Sequence, residues 1–499
     1  MKVVISYPPI DTHKGYPTLG QNRQFQFFKE PTYIYPVIPA TCATLLKEAG
    51  FEVIWNDCIA QDWSYAQFSE FIKTEKPDLI AFETKTPVVK QQWKIINDIK
   101  GLIPTSLNKS KLEGTLPKVV LFGDHVTALP EESFQNSRVD FVLTGGDYDF
   151  LLLNLANHLD RRTLDLEPGI YYRENGQVKN TGKFALNHDL NSLPFIDRDL
   201  TKWHLYAYKN GNYKRTPGTY IMSGRDCWWG RCSFCSWPQM YPQFRTRHAE
   251  NVLDEIGQLV DRFRVREIMD DTGTFPAGEW LKEFCQGMIK RGYNKKIFLD
   301  CNMRFGALTY EDLSLMKKAN FRLLLFGLES ANQKTLDRLD KNIKAERIIE
   351  DCRLATKTGL YPHITIMFGY PWETYEDALK TLELGRSLLK KGYAYTMQAT
   401  MAIPYPGTSL FEECKQKNLL NSLNWDDYDM KSPVMKTQIE EHKIMELVRG
   451  MYKVSFQPEF ILRKVFSLKD IDDLKYYLRA AKKVAGHIFD FKKGLPDNN

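Results

Sequence analysis

At 499 residues the chain exceeds what one hydrophobic core usually supports, so about two to four domains are expected. Its 43% hydrophobic and 26% charged residues exclude extensive disorder, and 68 basic against 62 acidic side chains leave +6, too small a surplus to point to a nucleic-acid partner. The opening MKVVISYPPI lacks the pattern of a secretory signal, no run reaches the ~18 apolar residues of a spanning helix, and nine cysteines, three of them within nine residues, suit a reducing compartment, so a cytoplasmic location is expected.

From the start, the apolar β-rich runs KVVIS, FEVIW, DLIAF, VVLFG and FVLTGG alternate with helical patterns near 39–49, from Tyr65 and from Val88. That alternation predicts a parallel sheet covered on both faces, so residues 1–160 are expected to form a doubly wound, Rossmann-like α/β domain. A hairpin is expected at GIYYRENGQVKN, and the whole of 161–218 reads as a linker. A second alternation follows in TYIMS, REIMDD, KIFLDCN, FRLLLFGLES, HITIMFG and YTMQATMAIP, with helices such as 249–263 between the strands. Six strand-helix units predict a (β/α)6 partial TIM barrel over 219–420. The strand signal then ends, and 421–499 is expected to be mostly helical.

In SGRDCWWGRCSFCSW, Cys227, Cys232 and Cys235 stand four and then two residues apart, directly after an apolar strand. Three thiolates on one loop can hold an iron-sulfur cluster while leaving one iron open to a further ligand. Four-then-two spacing also occurs in plant-type ferredoxins, which add a fourth cysteine; the next one here is Cys285, fifty residues on. A zinc site would also need a fourth ligand, for which His248 is a distant candidate, and three buried unligated cysteines complete the alternatives.

With this loop at the head of a barrel pattern, the chain resembles the radical S-adenosylmethionine superfamily, in the branch with an N-terminal cobalamin-binding (B12-binding) domain. The common family spacing is three then two, so the extra residue between Cys227 and Cys232 is a departure. The resemblance implies a [4Fe-4S] cluster on the three cysteines, chelation of S-adenosylmethionine by the open iron, and cleavage to a 5'-deoxyadenosyl radical. It further implies Phe234 near the adenine, Asp270, Asp271 and Thr272 toward the ammonium, Arg304 toward the carboxylate and Glu329 toward the ribose. An ordinary core aromatic, a helix N-cap and a surface salt bridge are the corresponding structural readings of Phe234, of Asp271 or Thr272, and of Arg304. Gly369 and Gly407 would permit turns above the barrel.

Ligands of open parallel sheets lie beyond the carboxyl ends of the strands, so the resemblance places cobalamin there, with Gly123, Thr127, Gly145 and Gly146 letting backbone approach it. Asp11, His13 and Gly15 fall one residue short of the Asp-x-His-x-x-Gly pattern that supplies a lower cobalt ligand, and His125 reads better as a hydrogen-bonding group. The reaction implied is functionalisation of an unactivated carbon, foremost methyl transfer. Oxidative cyclisation or rearrangement with the same cofactors is the alternative, and a noncatalytic electron-transfer or cobalamin-carrying protein a third class. An external electron donor such as flavodoxin or ferredoxin and a small-molecule or lipid substrate are the implied partners. The tail QPEFILRKVFSLKDIDDLKYYLRAAKKVAGHIFDFKK reads as helices packed on the barrel or as a peripheral membrane contact.

Overall fold

The computed structural model describes residues 1–18, 27–101 and 116–490, with the last four as backbone; Lys492 and Lys493 of the basic tail lie outside the described residues. Strands β1 (Lys2–Tyr7), β2 (Glu52–Asp57), β3 (Leu79–Glu83), β4 (Lys118–Phe122) and β5 (Phe141–Leu143) form a parallel sheet in the order β2-β1-β3-β4-β5. Successive side chains of a strand point to opposite faces, and here both faces are apolar. Val3, Ile5, Leu79, Ala81, Val120 and Phe122 pack with Ala40, Ala43, Leu46, Leu151 and Leu155 from helices Val37–Glu48 and Tyr148–Leu159. Their neighbours Val4, Ile80, Phe82, Val119 and Leu121 pack with Phe68, Ile72, Trp93 and Ile96 from helices Tyr65–Glu75 and Val89–Ile99.

The segment 161–218 is not a spacer. Strands β6 (Ile170–Glu174) and β7 (Gln177–Asn180) add antiparallel to the edge of β5, carrying the first sheet past the expected boundary at 160. The remainder threads between the two units because its aromatic and charged side chains find partners in both. Tyr206 accepts from Trp55 Nε1 at 3.2 Å and donates to Asp57 at 2.6 Å. Arg198, fully buried, stacks on Tyr35 at 4.3 Å and donates to Tyr220 O at 2.9 Å and Glu255 at 3.3 Å.

Strands β8 (Gly218–Ile221), β9 (Glu267–Asp270), β10 (Phe298–Met303), β11 (Phe321–Glu329), β12 (Tyr361–Phe368) and β13 (Thr396–Met401) pair in chain order, all parallel, as an open arc. Helices such as Ala249–Asp261, Glu279–Lys290, Ala345–Lys357 and Tyr375–Lys391 cover its outside through one continuous apolar core. Arg322, between Glu267 and Asp300 at 2.6 Å from each, fills the amino-terminal end of the arc with a buried ion triad.

Edge strands β8 and β13 do not meet; helix Ile471–Asp490 crosses the gap. Its Asp473 pairs with Lys214 at 3.0 Å and Arg215 at 2.6 Å just before β8, while Tyr477 meets Tyr395 at 2.6 Å just before β13. Helices Glu441–Lys453 and Pro458–Phe466 complete the helical region.

Candidate functional site

The loop after β8 is held in place by the protein's own groups. Asp270 accepts from Ser223 N at 3.1 Å, from the Ser223 hydroxyl and from Thr272 N at 3.0 Å, and Thr272 Oγ1 accepts from Gly224 N at 3.0 Å. Asp226 accepts from Gly273 N at 2.7 Å, and a Cβ on Gly273 would collide with that carboxylate, which is why glycine stands there. Arg225, fully buried, donates to Asp149 at 2.9 Å and Asp147 at 3.0 Å in the first unit; the paired carboxylates hold its guanidinium above its usual range against the opposing effect of burial. Ser236 donates to Asp124 at 3.3 Å from the far end of the loop.

Cys227, Cys232 and Cys235, each half-buried, stand at the head of a cavity of about 360 Å³ inside the arc. Cys227 Sγ lies 3.0 Å from Thr274 Oγ1. Burial pushes the Cys232 thiol up, and the Lys341 ammonium pulls it back. Among the described residues no three His, Cys, Asp or Glu side chains converge as ligands of a single ion. Cys285, the ferredoxin-like candidate for a fourth thiolate, is buried in the core outside the arc. A polynuclear cluster carried by three thiolates fits this donor set.

Glu329 ends β11 in left-handed backbone, φ 60°, a conformation that costs a non-glycine residue roughly 1 kcal/mol or more. Its Oε1 accepts from Lys341 Nζ at 3.0 Å, while Oε2 is buried with no hydrogen-bond partner and the residue lines the cavity. Lys341 itself is 7% exposed, with Nζ 5.8 Å from the Phe234 ring. Arg304 lies 4.1 Å over Trp229 and donates to the carbonyls of Lys341 and Asn342, so it braces the loop that carries Lys341 while also lining the cavity.

Cys227, Cys232, Cys235, Phe234, Asp271, Arg304 and Glu329 are thus brought to one chamber. Asp270 and Thr272 are spent on the loop and do not line it. Deeper in, His363 shares a hydrogen bond with Thr396 at 2.9 Å, and burial, with Arg322 nearby, lowers its imidazole to about 4. Lys341 and His363 escaped the sequence reading. The only local signal for Lys341 is its place between Asp340 and Asn342, both of which take left-handed backbone. Gly369, φ 92°, and Gly407, φ 81°, do sit in turns beyond strand ends.

The carboxyl edge of the first sheet departs from expectation. The space beside Gly145 is filled by the Phe184 ring and that beside Gly146 by Tyr241, while Gly123 lies against the Thr84 carbonyl. Thr127 donates to Gly123 O at 2.7 Å and accepts from Gly145 N at 3.1 Å. Trp237 stacks on Tyr241, and Lys85 Nζ lies 5.2 Å over Trp237. None of the four cradle residues lines the chamber; from the first unit it is reached by Thr18, Phe28, Thr32 and Ile34, in the stretch after β1. Thr18 Oγ1 is buried there without a partner. His13 is exposed and paired with Asp11 at 2.9 Å, and Gly15, φ 107°, turns against Phe28 O. His125 uses both ring nitrogens, on Thr86 and Glu132, each at 3.1 Å.

Residues 221–385 match the family model described as Radical SAM superfamily. The chain is 26% identical over 438 residues to an uncharacterised methyltransferase of Pyrococcus horikoshii, spanning 86% of this chain and 90% of that protein. It is 24% identical over 458 residues to the anaerobic magnesium-protoporphyrin IX monomethyl ester cyclase of Rubrivivax gelatinosus, spanning 90% and 78%. Among solved structures, the cobalamin-dependent S-adenosylmethionine radical enzyme OxsB aligns with a TM-score of 0.68 at 14% identity, covering 97% of this chain and 71% of that one. TsrM from Kitasatospora setae, a radical S-adenosylmethionine methyltransferase with cobalamin and a [4Fe-4S] cluster bound, aligns at 0.64 with 16% identity, covering 83% and 75%. At such identities the structural likeness is one of fold.

Proposed function

We propose, on the premise that residues 221–385 form a Radical SAM domain, that the chain is a cobalamin-dependent radical S-adenosylmethionine enzyme that transfers a methyl group to an unactivated carbon of a small molecule. The observation that carries this is the chamber itself: three thiols at its head, and beside them a buried carboxylate oxygen of Glu329 that no protein group satisfies. An orphaned buried acceptor costs roughly 1–3 kcal/mol, a penalty that a hydrogen-bonding cofactor removes.

When bound, the cluster and S-adenosylmethionine supply a 5'-deoxyadenosyl radical, and cobalamin supplies a methyl donor. In that reading Cys227, Cys232 and Cys235 hold the cluster. Glu329 Oε2 and Asp271 receive the donor hydrogens of S-adenosylmethionine, and Phe234 packs on its adenine. Lys341 and Arg304 keep positive charge beside the thiolates, which favours their ionised form. Cobalamin would be held not at the filled glycines but in the part of the chamber lined by Thr18, Phe28 and Ile34, with the unpartnered Thr18 hydroxyl available to its polar edge. Helix Ile471–Asp490 shuts the open side of the arc, which keeps bulk water from reactive intermediates.

Three further elements belong to the same proposal: an external one-electron donor such as flavodoxin or ferredoxin, peripheral contact of the C-terminal helices with a membrane, and a cytoplasmic location. No described helix is long and apolar enough to cross a membrane. Anaerobic turnover with methyl-labelled S-adenosylmethionine tests the proposal. Methyl transfer yields S-adenosylhomocysteine, 5'-deoxyadenosine and labelled product. 5'-Deoxyadenosine without S-adenosylhomocysteine assigns the second reading, oxidative cyclisation or rearrangement, which the similarity to the Rubrivivax cyclase over 90% of the chain favours. Absence of both products overturns the radical reading.

A further inference from the structure

The helix Pro458–Phe466 leaves most of its apolar side chains in the open. An ordinary surface helix buries an apolar stripe and shows its charges to water. Here no residue of the helix is fully buried: Phe460 leans on the apolar core, and the other contacts that pin the helix are polar. Lys464 Nζ donates to Tyr395 O at 2.7 Å and lies 3.1 Å over the Tyr395 ring. Arg463 donates to Leu389 O at 2.7 Å and to Lys390 O, capping the last turn of helix Tyr375–Lys391. Ile461, Leu462, Val465 and Phe466 are left facing outward, Phe466 with 84% of its surface exposed. Across the turn at 467–470 the next helix continues the patch with Ile471, Leu474 and Leu478. Seven large apolar side chains on one corner exceed the scattered exposure normal for a protein surface and mark an interaction site.

We infer that this corner, formed by helices Pro458–Phe466 and Ile471–Asp490, inserts into the interface of an anionic lipid bilayer. The inference deepens the peripheral contact proposed above and rests on that reading of the C-terminal helices. Two observations select lipid over a protein partner. The apolar groups lie along the outer faces of two consecutive helices that are anchored from behind, and such a surface enters a headgroup layer without a complementary pocket. The charge around them is biased: Lys453, Lys469 and Lys475 are exposed, whereas Asp470, Asp472 and Asp473 are tied to Arg215, Arg266 and the Lys214–Arg215 pair, leaving Glu459 as the open acid of the tip. Basic residues beside an apolar tip favour anionic headgroups. The inner face of helix Ile471–Asp490 presents Tyr476, Ala480 and Val484 to the chamber, so the docked surface would form the back of one chamber wall.

The test is flotation of the full chain with vesicles of phosphatidylcholine alone and of phosphatidylcholine mixed with phosphatidylglycerol, at low and high salt. Co-flotation with the anionic vesicles, weakened by salt and reduced about tenfold in Leu462→Glu/Phe466→Glu, is expected. Recovery in the bottom fraction with both vesicles, or undiminished flotation of the variant, overturns the inference. Light scattering on the same samples covers the other occupant: a dimer that the substitution converts to monomer, without vesicle binding, assigns the corner to a second copy and also overturns it. Both substituted side chains are exposed, so 5'-deoxyadenosine formation without vesicles should be unchanged. Ile471→Glu, on the neighbouring helix, repeats the flotation test should the double variant misfold. Flotation without 5'-deoxyadenosine would refute the radical reading alone; 5'-deoxyadenosine without flotation refutes the lipid surface alone.

Discussion

The carboxyl ends of the two parallel sheets begin from the same plan and are finished in opposite ways. At the first sheet the rings of Phe184, Tyr241 and Trp237 and the ion pairs of Arg225 occupy the space that glycine-bearing loops could have left for a ligand. At the second, the loops stand apart, and a carboxylate oxygen, three thiols and an ammonium surround a void. The strand ends of an α/β sheet are therefore only an opportunity. Whether they become a seam or a site depends on whether the chain's own side chains fill them. The two are also coupled: Arg225, Ser236 and Tyr241 all flank the cysteines, so the closed edge holds the loop from which the open edge hangs.

Four experiments separate seam from site. The largest effect belongs to the site: Cys232→Ala should abolish both iron incorporation and 5'-deoxyadenosine formation, read by metal analysis and chromatography, and retention of either breaks the assignment. Next is the seam, where Arg225→Leu strands the buried Asp149 carboxylate; a stability loss of about 3–5 kcal/mol is expected in chemical denaturation. A loss under ~1 kcal/mol would mean that the edge is not held by this pair. Returning to the site, Glu329→Gln should weaken S-adenosylmethionine binding by about 10- to 100-fold in equilibrium dialysis, the range for a hydrogen bond to a charged group, while leaving vesicle flotation untouched.

The smallest effect is a contrast in pH dependence between two histidines. In the seam, His188 is hydrogen-bonded to Asp147 and Glu167, which raises its imidazole to about 9. Its contribution is fully present below the ordinary value of 6.5 and is lost as the pH climbs through 9. Because the group is half-buried, about 1 kcal/mol is a reasonable size, and His188→Gln should flatten the alkaline limb of a stability-against-pH curve by that amount. His363 in the chamber has the opposite sign. Burial lowers it to about 4, so the unfolded chain takes the proton first and stability falls as pH drops from 6.5 toward 4.

Much of the site was legible because its signals are local. The cysteine spacing lies within nine residues, and the ends of β8, β9 and β11 carry SGRDC, MDD and FGLES as continuous stretches. The two-sided apolar strands likewise declared a covered parallel sheet. What stayed hidden depends on partners distant in sequence. Nothing near Gly146 announces that Tyr241, ninety-five residues on, will cover it. The role of Asp270 could not be told from that of Asp271 until Ser223 was seen to engage the first. The segment 161–218 lacks strong periodicity because it packs irregularly between two surfaces, so its polar residues looked like those of a linker. Lys341 shows the limit most plainly: a lone lysine in a turn carries no pattern, yet folding sets it 3.0 Å from Glu329.

The wall across the gap between β8 and β13 is made from residues 471–490, whereas the last strand of the arc ends at Met401. During synthesis the chain emerges from its amino end at roughly 5–20 residues per second, so the arc and its cysteine loop leave the ribosome some seconds before the helix that closes them. Assembly therefore includes an interval in which the chamber is complete on every side but one. Once the helix seats on Lys214, Arg215 and Tyr395, the side of the chamber between β8 and β13 is closed.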